Sequence, residues 1–580
     1  MKGKTGNLLF LLIVGLLFLS NFGFADQHWT EALQNELDLP ASINGVHYKC
    51  GLPILAEAYA KDPEATRRIM DAYRAERLNK ATDTFVSPSG RFIIEYQTSG
   101  FDAIPTYDRD NNGTPDYLEF VAKSFDRAWE VEVDSLGFRP PPDQNGQPKS
   151  TYSVICRKLS NSLYGSTLFI GTNDIAALPG LNFTSEIEFN TDFSFINSAT
   201  FNFTTAYPGG NDPIIRDSMA IAVTAAHEFN HALQLGYRFW SSGENTLSDI
   251  VDLRYIEGSA VYMEEVVANQ VNDYYQYLRS FYRRTDRNWG DSSVLYGDVI
   301  FYIMLGNIYG KTITREIWEE IVNQPSLPAM EAVFQRKESS FNFELTRLAS
   351  WMFFSGANSL PGLLFKEAAN YPDPFLAESD DILLNSVTSQ TVYEDELPPL
   401  SFLLLKIPVV AVAEGISIAV SPANAAIDWG GVNFSFAQPH IQEFPANIFS
   451  ETFFNSPEDD LFEAVISGNW SDVSDSLMDF EVRLRSSNVL ETDEIFAYPN
   501  VIKPGLEVAQ VTFINLPENA VIEIFTGNGV RVASVEPSRT GKIAFWNLTT
   551  FQGKPVGTGV YIYRVQSNTK SKSGKILVVR

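Results

Sequence analysis

The order of apolar and polar positions divides the chain into five stretches of different texture. The first holds a twelve-residue apolar run, Leu8 to Leu19, behind Lys2 and Lys4 and ahead of Gly23-Phe24-Ala25. That is the pattern of a secretory signal peptide over 1–25, cleaved near Ala25, and it is short for a spanning helix. Residues 26–83 have a helical, polar texture broken at Pro40, Pro53 and Pro63. Glu64 to Lys80 is charged with few apolar positions, which predicts a helix lying on the surface. Arg91 to Gln97 and Thr151 to Cys156 are β-branched and aromatic, and predict strands. Residues 165–206 mix short β-like runs with Asn, Ser and Thr. From 207 to 375 helical periodicity dominates. Met219 to Leu235 contains no Gly or Pro, and Asp212-Pro213 offers a cap and a first-turn proline ahead of it. Val294 to Tyr309 reads as a buried helix.

The texture changes near Glu394-Asp-Glu-Leu-Pro-Pro399, which reads as a link. Beyond it, Leu400–Ile407, Gly415–Val420, Asn433–Phe436 and Phe480–Arg485 are strand-like and predict a β-sandwich over 393–490. Short strands with regular turns continue through 491–580, at Val508–Phe513, Ala520–Phe525, Ile543–Trp546, Gly559–Tyr563 and Lys575–Val579. That spacing predicts an immunoglobulin-like sandwich. The expected fold class is multidomain α+β. A helical segment at 26–83 precedes a mainly helical domain at 84–392, and two all-β sandwich domains follow.

Composition narrows the function classes. Hydrophobic residues make up 44% and charged residues 20%, so the chain is globular. Lys and Arg number 43 against 71 Asp and Glu, a net charge of −28. Phosphate backbones need basic patches, so nucleic acid is excluded as a partner. The balance suits an exported protein and leaves acidic groups for calcium. Export would permit a bridge between the two cysteines, Cys50 and Cys156, and two unpaired buried thiols are the alternative. Neither lies near the chain's chemical centre in sequence, so a Cys–His nucleophile has little support.

That centre is Ala222-Val-Thr-Ala-Ala-His227-Glu228-Phe-Asn-His231, which reads H-E-x-x-H in a chain with five histidines: His28, His47, His227, His231 and His440. Residues four apart share a helix face, so His227 and His231 can grip one divalent metal. Glu228 lies about 100° round the helix, where it reaches a metal-bound water rather than the metal. Catalytic zinc is usually held by three protein groups and a water. Downstream, Glu257 and Glu264 share a helical face two turns apart, and periodicity alone admits either as the third ligand. Gly258 and Ala260 flank Glu257 with small side chains, which favours close approach there. Glu264 is better suited to orienting a ligating imidazole.

A second motif, Asp108-Arg-Asp110-Asn-Asn112-Gly113-Thr114-Pro-Asp116-Tyr-Leu-Glu119, fits a twelve-residue calcium loop. Oxygen ligands fall at Asp108, Asp110, Asn112, the Thr114 carbonyl, Asp116 and Glu119, and Gly113 makes the sharp turn. Pro115 departs from a paired EF-hand. The preceding segment reads as strand, so a lone loop feeding a helix from about Asp116 to Leu136 is expected, with an Asx-rich surface turn as the alternative.

Two resemblances follow from these residues. Glu257-Gly-Ser-Ala260 after H-E-x-x-H resembles zinc metallopeptidases whose third ligand is the Glu of an E-G-x-A helix. Residues of about 50–375 resemble a bacterial family assigned as secreted metalloproteases. They share Tyr96-Gln-Thr-Ser-Gly100, the D-x-D-x-N-G-x-P-D-Y loop, H-E-F-x-H, E-G-x-A-x-x-M-E ending at Glu264, and Tyr296-Gly-Asp-Val-Ile-Phe301. Arg254-Tyr255 stands where such families often place Trp. The resemblance implies a zincin-like domain with zinc on His227, His231 and Glu257. Residues 491–580 resemble type IX secretion sorting domains and flagellar-hook-cap immunoglobulin-like domains, through Tyr498-Pro-Asn500, Thr526-Gly-Asn-Gly529, Gly559-Val-Tyr561 and Gly574 to Arg580. Val501 replaces the usual second proline.

The expectation is therefore a secreted or cell-surface zinc endopeptidase acting on protein or peptide. Glu228 would be its general base and Tyr296 the donor to the oxyanion. Calcium would serve as a second ion, and the secretion machinery would be engaged through the last domain. The rival expectations are a surface adhesive protein with a structural metal site and a zinc amidase acting on peptidoglycan.

Overall fold

A computed structural model describes residues 29–37, 48–77, 82–159, 163–170, 182–199, 202–238, 247–287, 295–359 and 364–375, then 377–579 in the strands and turns taken up below. The leader expected at 1–25, and His28, His47 and His440, lie outside the described residues. The protein is a multidomain α+β molecule of two compact units. One comprises residues 1–281 and 290–337, and the other 282–289 and 338–580.

The first unit is mainly helical, as expected, and its helices pack around a five-stranded mixed sheet. Its strands are β1 (Asp83–Val86), β2 (Phe92–Tyr96), β3 (Tyr152–Arg157), β4 (Gly165–Ile170) and β5 (Thr184–Asn190), in the order β1-β2-β3-β5-β4. β2, β3 and β5 run parallel, whereas β1 and β4 are antiparallel to their neighbours. The stretch from 165 therefore supplies two strands of the sheet, with β4 as its edge.

Every residue of β5 is buried, including Glu186 and Glu188. Their charges are met by α2 (Pro63–Arg77), which follows α1 (Leu52–Lys61). Arg77 pairs with Glu186 at 2.5 Å and Tyr73 donates to Glu188 at 2.7 Å. Trp29 Nε1 also donates to Glu188 at 3.1 Å. Over its described part, Pro63–Arg77, helix α2 lies on the surface with one face buried, through Ile69, Met70 and Tyr73.

Helix α3 (Asp116–Trp129) continues through a π-helical turn at Glu130–Ser135, close to the expected end. The turn carries Glu132 into the interior, where it accepts from Asn230 Nδ2 at 2.8 Å. Asn230 lies on α4 (Pro213–Gln234), the H-E-x-x-H helix, whose start is capped by the Asp212 side chain. Phe229 faces the sheet, packing on Phe92, Trp129 and Tyr152 with centroids 5.4, 5.5 and 6.3 Å away. Burying one such ring stabilises by about 1.5–3 kcal/mol. Helices α5 (Leu247–Val267) and α6 (Val299–Tyr309) complete the surroundings of the site.

The second unit begins earlier than the composition change near 393. Helix Phe341–Phe353 belongs to it and packs against strands Phe402–Pro408, Gly430–Phe434 and Leu461–Ser467. Those strands belong to a five-stranded sheet, and a four-stranded sheet holds Gln390–Leu397 and Met478–Ser487. Most of the expected link at Glu394–Pro399 is therefore strand.

In the last ninety residues a three-stranded and a five-stranded sheet share one core. Phe513 and Trp546 of the first meet Tyr563 and Tyr561 of the second, with centroids at 5.3 and 5.6 Å. The expected strands form there. The additional strand Arg531–Val535 hydrogen-bonds beside Val521–Thr526.

Candidate metal centre

One turn of α4 separates His227 from His231, and both rings leave the helix on the face opposite Phe229. Their Nε2 atoms come within 3.0 Å of each other. Glu257 of α5 faces them, 3.4 Å from His227 Nε2 and 3.2 Å from His231 Nε2. All three side chains are fully buried, and neither oxygen of Glu257 has a hydrogen-bond partner. Tetrahedral zinc with Zn–N near 2.0–2.1 Å would set its nitrogen ligands about 3.3 Å apart. Three converging acceptors, with a buried carboxylate lacking any donor, are what such an ion requires.

The electrostatics agree. Burial works against charge on His227, but Glu257 and Glu264 outweigh it and hold the imidazole pKa up at about 10. Burial likewise opposes ionisation of Glu257, and His231 and His227 outweigh it, holding the carboxyl down at about 2. The negative charge of Glu257 and Glu264 thus lies on both sides of the His227 imidazole.

A second layer orients the ligands. Glu264 Oε1 lies 2.8 Å from His227 Nδ1. Gln234 Oε1 lies 2.8 Å from His231 Nδ1, and Gln234 Nε2 donates to Asn230 Oδ1 at 2.6 Å and Ser259 Oγ at 3.1 Å. Hydrogen-bonding the outer nitrogen leaves the inner one as ligand. The sequence argument for Glu257 needs one correction. Gly258 does not face α4. A Cβ there would come within 2.3 Å of the Tyr302 ring on α6, so this glycine admits Tyr302. Ser259 meets the H-E-x-x-H helix instead.

Glu228 sits beside the ligand cluster, not within it. Thr167 Oγ1 on β4 donates to Glu228 Oε2 at 2.8 Å and also to its backbone carbonyl at 2.8 Å. Burial pushes the Glu228 carboxyl up, against the pull of both histidines. Gly165 makes room for it, since a Cβ at 165 would lie 2.7 Å from Glu228 Cγ. Tyr296 is fully buried with φ of 68°, a backbone conformation that costs a non-glycine residue about 1–3 kcal/mol and is often found at functional sites. Its ring lies 6.4 Å from that of His227, and its hydroxyl accepts from the Lys49 backbone N–H at 3.1 Å.

Sequence reasoning missed Cys50. Both cysteines are free and buried. Cys156 lies in β3, whereas the Cys50 sulfur stands with His227, His231 and Glu257, each offering a ligand atom within 4.8 Å of all the others. Cys50 Sγ donates to Glu228 Oε2 at 3.6 Å and accepts from the Leu52 N–H at 3.3 Å. Burial, then Glu228 and Glu257, push its thiol pKa well up. Nothing in local spacing marks this cysteine, because 178 positions separate it from Glu228.

The second motif also folds on itself. Carboxylate oxygens of Asp108, Asp110 and Asp116 lie within 4.8 Å of one another. Asn112 Nδ2 donates to Asp110 at 3.0 Å and to Glu119 at 2.9 Å, and the Gly113 N–H donates to Asp108 at 2.9 Å with Gly113 at φ 87°. The Thr114 N–H donates to Asn112 Oδ1 at 2.8 Å. Asp116 opens α3 and takes Arg109 Nε at 2.8 Å, which holds its carboxyl below the usual value.

No family model and no curated protein matches the chain. Among solved structures it is similar to PorZ, an essential bacterial surface component of the type-IX secretion system of Porphyromonas gingivalis. The identity is 22% over 17% of this chain and 14% of that one, with a TM-score of 0.14. It is also similar to the adhesin domain of Epf from Streptococcus pyogenes, at 10% identity over 33% of this chain and 72% of that chain, with a TM-score of 0.12. At these scores neither likeness bears on the site.

Proposed function

We propose that the chain is a secreted zinc-dependent endopeptidase of zincin-like fold. The observation that carries this reading is the convergence of His227, His231 and the unpartnered Glu257 carboxylate, with a separately held Glu228 alongside. Zinc on those three side chains would supply Lewis acidity and an acidified water. Glu228 would act as general base to the attacking water and would return the proton to the leaving amine. Its raised pKa suits a group that must both take and give a proton. Thr167 holds the carboxylate in place through both stages. Tyr296, pinned by its backbone strain, presents a hydroxyl to the oxyanion of the peptide carbonyl. A purely structural zinc site would not need Glu228 beside it.

The 108–119 loop we assign to calcium, with Asp108, Asp110, Asn112, Asp116 and Glu119 as side-chain ligands and the Thr114 carbonyl between them. Arg109 holds Asp116 where a cation would take it. Residues 491–580 we assign to export and surface display through a secretion machinery, on the strength of their sequence marks and their separate core.

The test of the peptidase reading combines metal analysis of the purified protein with casein cleavage, assayed after an organomercurial has taken the Cys50 thiol out of the cluster, with and without a zinc chelator. Zinc in stoichiometric amount and chelator-sensitive cleavage are expected. Zinc-free protein, or cleavage indifferent to chelator, would refute it. Muropeptide release without casein cleavage would point to the amidase.

A further inference from the structure

We propose that Cys50 is a fourth protein ligand to the metal of His227, His231 and Glu257, and that the segment Tyr48–Gly51 thereby keeps the peptidase latent. The inference rests on the zinc reading above and deepens it.

Cys50 is not a stray thiol near a pocket, because the whole segment is fitted to the site. Cys50 forms an isolated parallel β-bridge to Gly165, the first residue of β4. The Gly51 N–H donates to the Gly165 carbonyl at 3.2 Å, and the Tyr164 N–H donates to the Lys49 carbonyl at 2.8 Å. Gly51 allows the approach, since a Cβ there would fall 2.3 Å from Ser166 Oγ. Lys49 is buried, and its ammonium lies 2.6 Å from Glu264 and 2.5 Å from Asp273. Glu264 is the same carboxylate that orients His227. The Lys49 N–H occupies the hydroxyl of Tyr296. Three consecutive residues, Lys49, Cys50 and Gly51, therefore engage the metal-site cluster, the general base, the oxyanion donor and the start of β4 together.

The chemistry follows from the donor set. Zinc sites closed by four protein ligands are inert, and catalytic ones keep a position open for water. Cys50 takes that position. The S–H bond breaks as the sulfur–metal bond forms, and the proton passes to Glu228 Oε2, its nearest acceptor. No redox change is involved. The Leu52 N–H remains to hydrogen-bond the thiolate. Activity requires the sulfur to leave and Lys49 to withdraw from Glu264 and Asp273.

The experiment loads the full chain with cobalt(II) in place of zinc. A thiolate-to-cobalt charge-transfer band is expected in the near ultraviolet, and Cys50→Ser should lose it while retaining cobalt. Alkylation followed by peptide mapping gives a reading on the unaltered protein. Cys50 should resist the reagent when metal is bound and react after chelation, with the buried Cys156 as internal reference. Treatment with an organomercurial should raise peptide hydrolysis from background. Bound cobalt without the band, or Cys50 alkylated equally with and without metal, overturns the inference and leaves the zinc reading standing. Failure of cobalt and zinc to bind at all removes both.

Discussion

At the scale of single residues the proposed site separates groups placed to hold a metal from a carboxylate set beside them. Glu228 is held by Thr167 and lies outside the ligand set, so Glu228→Gln should leave zinc content unchanged. Hydrolysis by the thiol-released protein should fall by at least about 10²-fold, the ordinary worth of a general base. Near-normal turnover would sink the mechanism. Glu257 and Glu264 divide differently. Glu257 faces both inner nitrogens, so Glu257→Ala should lose most of the bound zinc. Of the imidazole nitrogens Glu264 meets the outer one of His227, so Glu264→Gln should weaken zinc by about 10–100-fold and no more. Metal titration of the two variants decides, and the opposite order would reverse the assignment. Gly165 is tested by adding one carbon. In Gly165→Ala the new Cβ meets Glu228 at 2.7 Å, so either the edge strand or the base must move. A loss of about 1–3 kcal/mol is expected in urea denaturation. An unchanged midpoint would mean that β4 yields freely.

At the scale of elements, what the sequence made legible was periodic and local. His227 and His231 share a face because a helix repeats every 3.6 residues, and Gly113 turns its loop because only glycine adopts that backbone freely. The outward role of Glu264 was also legible, since ligating imidazoles need an acceptor on the other nitrogen. Pairing between distant segments was not. β4 is an edge strand and Cys50 lies on it through backbone hydrogen bonds, which any residue can make. Gly258 misled for a related reason: a small residue announces a close approach without naming the neighbour. The π-turn carrying Glu132 to Asn230 has no residue signature either. The 108–119 loop proposed to bind calcium has the most explicit signature, and it allows a test free of the peptidase assay. Calcium should raise the melting temperature of the protein, and Asp108→Ala or Asp110→Ala should abolish that increment with zinc content unchanged. If calcium fails to stabilise the parent, the loop is an Asx-rich turn closed by Arg109 and Asp116.

At the scale of the whole molecule the chemistry is confined to one unit. Every side chain assigned to the zinc site, and the segment proposed to block it, lies at 48–264 or at Tyr296, within the first unit. The last domain contributes nothing to that set and carries its own core. Val511, Phe513, Trp546, Ile522, Val565 and Ile576 are all buried among residues of the same domain. A block of that kind, with two sheets sharing one core, has what independent folding requires. Deleting 491–580 should therefore leave a folded protein with unchanged zinc content and unchanged casein cleavage after thiol release. Produced alone, 491–580 should unfold in a single cooperative transition. The loss should show in export, with the truncated chain retained by the producing cell and absent from its surface. A soluble truncation that binds zinc but no longer cleaves casein would show that the last domain takes part in substrate engagement, and its assignment to export alone would fall.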